Sequence, residues 1–94
     1  MIREATERVR QMERYFDLLQ EVANTNPNAL REDVSIQAML QALTQYYENG
    51  QWLQDYELDE KGFFPQNLKR GVLAQDAVYD FLDRIRYVLR NDNS

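Results

Sequence analysis

Ile2, Ala5, Val9, Met12, Phe16, Leu19 and Ala23 follow one another at steps of three and four residues. At 3.6 residues per turn this spacing winds an apolar seam down one side of a helix, and it lacks the strict alternation of a half-buried strand. The chain therefore opens on an amphipathic helix over about residues 2–24. Glu4 and Arg8 stand one turn apart with the acid on the N-terminal side, the orientation that supports a helix. The seam is short for a coiled coil, so packing within the monomer is expected ahead of self-association.

Two more stretches repeat the pattern. Ile36, Leu40, Leu43 and Tyr47, joined by Met39 and Tyr46, mark a second helix over about 34–49. Its start is open between Asn26 ahead of Pro27 and Asp33 or Ser35 just before the apolar series. Gly50 supplies the left-handed conformation that ends a helix at little steric cost. Leu73, Ala77, Val78, Phe81, Leu82, Ile85, Val88 and Leu89 give a third helix, about 73–90, a broad apolar face. Asp76 and Asp80 lie near its N-terminal end and Arg84, Arg86 and Arg90 towards its C-terminal end, which complements the helix dipole. The predicted class is all-α: one domain over 1–94, a small bundle of three main helices, with an aromatic and acidic connector (50–72) packed between the second and third. A structureless loop of that length is suspect inside a compact domain, so short turns or a small extra helix are expected within it.

Composition removes several chemistries. With no cysteine there are no disulfides, thiolate nucleophiles or sulfur-based zinc sites, and with no histidine the commonest general base, transition-metal ligand and pH switch are gone. A nucleophilic Ser35 would have no histidine to activate it. These absences point away from catalysis, and no cofactor is called for. The net charge of -5 argues against a surface that tracks phosphate backbones. The charged N-terminal stretch and the absence of a long apolar run point to a cytoplasmic protein outside the membrane.

The informative region is "YYENGQWLQDYELDEKG", followed by "NLKRGVLAQDAVYDFL". Its tyrosine pair, its tryptophan followed by an acidic stretch, and its Lys-Arg-Gly-Val-Leu turn resemble the bacterial family catalogued as domain of unknown function 4298. The resemblance covers residues 46 to 82. It implies a short, predominantly helical fold and no established chemistry. Ala74 stands where similar sequences carry serine, which leaves the last helix without that side-chain cap.

Asp55, Glu57 and Asp59 alternate like the early ligands of a calcium loop, but the register fails: position six is Glu60 instead of glycine, and position twelve is Gln66 instead of a bidentate glutamate. No metal site is assigned, and a solvated acidic segment is the simpler reading. Six of the eleven aromatic residues, Tyr46, Tyr47, Trp52, Tyr56, Phe63 and Phe64, lie between positions 46 and 64. Such a cluster has two uses. It folds inward over the helices, with Trp52 as anchor and Phe63 or Phe64 as plug, or it forms a patch that recognises a partner. Lys69 and Arg70 make a compact basic turn that serves to neutralise the acidic run or, more weakly, to meet a phosphate.

The function expected from these residues is a non-enzymatic protein–protein interaction module. Its candidate partner-binding residues are Tyr47, Trp52, Tyr56, Phe63, Phe64, Asp55 and Asp59. The partner is an unidentified protein, with a second copy of the chain as one candidate. A small-ligand or weak cation-binding domain using the same region is the alternative.

Overall fold

Residues 2–91 are described by the computed structural model, in which α1 (Ile2–Thr25), α2 (Ala29–Glu32), α3 (Val34–Glu48), α4 (Gln51–Glu60), a 3-10 turn (Gly71–Leu73) and α5 (Ala77–Asn91) follow in order. No strand occurs among the described residues. At 24 residues α1 is about 36 Å long, and the molecule is elongated to match, 46 × 19 × 19 Å.

The apolar seams meet as their spacing requires. Ala5, Val9, Phe16 and Leu19 of α1 are buried against Ile36, Leu43 and Tyr46 of α3 and Val78, Phe81, Leu82 and Ile85 of α5. Phe16 and Phe81 touch edge to face, with centroids 5.5 Å apart at 83°, the arrangement that ring quadrupoles favour. Met12 and Ala23 are only partly covered, and Ile2, at the outer end of the seam, is exposed.

Of the helix starts left open after α1, Asp33 is the one that α3 uses, while Asn26 and Pro27 lie in a turn ahead of α2, whose N-cap is Asn28. The turn at Asn26 and Pro27 leads into the four-residue α2, where Asn26 and Pro27 carbonyls accept from the Ala29 and Leu30 amides at 3.0 and 3.1 Å. Asp33 then caps α3: its Oδ1 accepts from the Ser35 amide at 2.9 Å and the Ile36 amide at 3.3 Å. This satisfies two amides that the first turn of a helix leaves without partners.

The expected connector between the second and third main helices is itself partly helical. Gly50, at φ 96, closes α3 and opens α4, and Asn49 Oδ1 takes the Gln51 amide at 3.0 Å. The α4 sequence, QWLQDYELDE, contains no proline, glycine or β-branched residue, so the backbone is free to continue as helix once the chain has turned. From 61 to 70 the chain is irregular but pinned, because Phe64 and Leu68 are both buried.

The last helix begins later than its apolar spacing suggests. Leu73, placed by its spacing on that helix, instead closes the 3-10 turn and enters the core. Ala74 is extended, and Asp76 takes the left-handed φ of 70 just before α5. No side chain at position 74 caps the helix. Aspartate is among the few non-glycine residues that tolerate this conformation.

Candidate functional site

The residues from which the sequence resemblance was read bind to one another. Asp55, on the inner side of α4, is fully buried at 0% exposure. Arg8 of α1 reaches it with both ends of its guanidinium, Nε to Oδ2 at 2.9 Å and Nη2 to Oδ1 at 2.6 Å. The Tyr46 hydroxyl of α3 donates to the same Oδ2 at 2.7 Å. A buried carboxylate is tolerated only when its oxygens are satisfied, and here three donors from two helices do so. One side chain thus ties α4 to both α1 and α3.

A second tie holds the Lys-Arg-Gly-Val-Leu turn. Trp52 Nε1 of α4 donates to the Val72 carbonyl at 2.8 Å, and the Val72 amide donates to Glu13 Oε1 of α1 at 2.7 Å. Val72 is fully buried, so both its backbone groups depend on these side chains. Glu13 is itself buried, at 6% exposure, and a Cβ at Gly71 would lie 3.1 Å from its Oε2. Glycine at 71 lets the turn approach the carboxylate this closely.

These contacts correct two assignments. Asp55, expected on an acidic recognition rim, is consumed inside the fold by Arg8 and Tyr46. Phe64, also expected to meet a partner, is 6% exposed and belongs to the core. The calcium-like alternation Asp55, Glu57, Asp59 lies on a helix, where successive odd positions diverge instead of converging. Among the described residues no group of three acidic side chains is placed to hold a metal ion.

Tyr47, Trp52, Tyr56 and Tyr79 form a run along the outside. Tyr47 and Trp52 rings are 5.2 Å apart and tilted by 58°, Trp52 and Tyr56 are stacked at 5.1 Å and 17°, and Tyr47 meets Tyr79 of α5 at 6.5 Å. Tyr47, Trp52 and Tyr56 are half-buried, while Tyr79 is 51% exposed. Phe63 is 54% exposed beyond the end of α4, and no ring contact joins it to this run among the described residues. Tyr79 was not singled out from sequence. Its signal was available: a tyrosine at an outward position of a strongly amphipathic helix.

Carboxylates edge these rings. The charge of Glu60, foremost, with Asp59 and Asp76 adding to it, raises the Tyr56 phenol above its ordinary range. Asp59 is paired with Arg70 Nη1 at 3.0 Å, and Arg70 also donates to the Pro65 carbonyl at 2.5 Å and the Leu68 carbonyl at 3.3 Å. Lys69 meets Asp17 at 3.3 Å in an exposed pair. The basic turn is therefore committed to neighbours in the same chain, and Arg70 braces the irregular segment before it.

Inside the triad, burial and then the bond to Asp55 push the Tyr46 phenol far above its ordinary 10.0, and the hydrogen bond to Asp55 raises Arg8. The fold requires neutral Tyr46, so this contribution is complete below pH 10.0 and is lost as pH rises beyond it. Thermal melts between about pH 7 and about pH 11 should show stability falling on the alkaline side. Tyr46→Phe should flatten that fall, and an identical alkaline limb in both proteins would contradict the assignment.

No helix among the described residues is long and apolar enough to cross a membrane. Neither a curated protein nor a solved structure matches the chain. The family described as Domain of unknown function (DUF4298) matches residues 9–91. That span takes in Glu13 of α1, the pair Tyr46 and Tyr47, Trp52, Asp55 and the 71–73 turn, and the chain belongs to the DUF4298 family.

Proposed function

We infer that the protein is a non-enzymatic protein–protein interaction module of the cytoplasm, with the outer faces of α4 and early α5 as its contact surface. The run of Tyr79, Tyr47, Trp52 and Tyr56 carries this reading. Four rings in successive contact remain partly open to water beside Asp59, Glu60 and Asp76, although the fold's own ties use only the inward groups of this region. Rigid aromatic side chains with few rotamers lose little entropy on binding, and they dominate interface energetics where a polar rim surrounds them. The weak cation-binding alternative is disfavoured because Asp55 and Asp59 already have cationic partners in the chain.

The test is affinity capture of the tagged protein from its native cells, beside a Tyr56→Ala, Tyr79→Ala double variant shown to be folded. Both positions are at least partly exposed, so the fold should survive. The reading predicts a protein partner retained by the parent and lost by the variant. Equal recovery by the two would refute the surface, and a second copy of the chain as the partner would appear as a dimer in sedimentation.

A further inference from the structure

We propose that this surface takes a basic segment of its partner, with a lysine or arginine side chain lying over the face of Tyr56 turned away from Trp52 and neighbouring cations meeting Glu60 and Asp76. The inference rests on the interaction reading above and supplies the partner's chemistry.

Helix α4 carries Asp55, Glu57, Asp59 and Glu60 and no basic residue. Arg8 neutralises Asp55, and Arg70 pairs with Asp59. Among the described residues Glu57, Glu60 and Asp76 have no ion pair, so the outside of the helix keeps its negative charge. Lys61 follows at the C-terminal cap, but it lies about 140° around the axis from Tyr56 at 3.6 residues per turn.

Trp52 has a single polar donor, and Val72 already takes it. What it presents outward is therefore ring surface, whose faces carry the negative part of the aromatic quadrupole. Stacked face to face with Tyr56 at 5.1 Å and 17°, it covers one face of that ring, and among the described residues no other ring covers the face turned away from it. Cations are held over such faces, and the effect strengthens when carboxylates stand at the edge. An anionic partner would instead meet repulsion from Glu60 and Asp76, and would find Arg70 engaged by Asp59 and two carbonyls.

The lone tryptophan stacks on the Tyr56 ring that makes the proposed contact and reports on it. Trp52 fluorescence of the full chain is followed while adding a short peptide of alternating arginine and glycine, its glutamate counterpart, or spermidine. The proposal predicts a saturable change with the arginine peptide alone, weakened about tenfold between about 50 and about 300 mM salt. It also predicts a loss of about tenfold in affinity with Glu60→Gln plus Asp76→Asn, since asparagine keeps the left-handed backbone while removing the charge. Glu60→Lys, a single change at an exposed position, should reduce binding further and serves if the double variant is unstable.

The proposal is overturned by no saturable change with the arginine peptide, by equal binding of the glutamate peptide, by spermidine binding as tightly as the peptide, or by unchanged affinity in the charge variants. A partner lost with Tyr56→Ala, Tyr79→Ala but indifferent to arginine peptide and to Glu60→Lys would leave the interaction reading standing and defeat this one alone.

Discussion

Asp55→Ala should destabilise the protein by about 3–5 kcal/mol, because it removes one partner of a buried ion pair and leaves the other without its counter-charge. That is comparable with the whole stability of a small domain, about 5–15 kcal/mol. Asp55 is fully buried and accepts from Arg8 twice and from Tyr46 once. Its loss strands the Tyr46 hydroxyl in the core, whereas Arg8, at 27% side-chain exposure, has some access to water. Tyr46→Phe removes only the hydroxyl and should cost less, about 1.5–3 kcal/mol for a bond to a charged group. Urea unfolding measures both. A cost below about 1 kcal/mol for Asp55→Ala would mean that the triad is not a structural tie. The pair need not be a net source of stability, since well-packed apolar replacements often match a buried ion pair. Its value here is positional: it fixes α4 against α1 and α3 at once.

Trp52→Ala is the second large effect, expected to cost about 2–4 kcal/mol. Deletion of a fully buried large aromatic costs about 3–5 kcal/mol, and Trp52 is half-buried, which lowers the figure. The loss has two parts: ring packing against Tyr47 and Tyr56, and the hydrogen bond to the Val72 carbonyl. Trp52→Phe separates them, keeping a ring while removing the donor, at about 0.5–1.5 kcal/mol. Thermal unfolding of the two variants checks this, and equal costs would contradict it by showing that ring packing adds nothing beyond the hydrogen bond.

The helical core was legible because burial is written in the spacing of apolar residues, and α1, α3 and α5 display it openly. Asp33 and Gly50 were legible for a different reason, since capping and left-handed turns demand particular side chains. Helix α4 was harder, because its apolar and acidic residues are mixed around its circumference and its inward residue is an aspartate. No local pattern distinguishes a buried Asp55 from an exposed one. The distinction lies in Arg8, 47 residues away, and in Tyr46. Glu13 left a clearer trace, falling four residues after Val9 and three before Phe16, on the apolar stripe itself. The aromatic cluster divided between core and surface. Tyr46 and Phe64 went inward, Tyr47, Trp52 and Tyr56 line the surface, and Tyr79 joined them from α5.

Helices α1 and α4 hold the 71–73 turn through the two backbone groups of Val72. Amide hydrogen exchange at Val72 tests this hold most directly. Val72 should be protected nearly as well as the core amides of α1 and α5, and Trp52→Phe should reduce that protection more than it does at Leu82 in α5. Exchange at Val72 as fast as at exposed Gly62, in the unaltered protein, would contradict it.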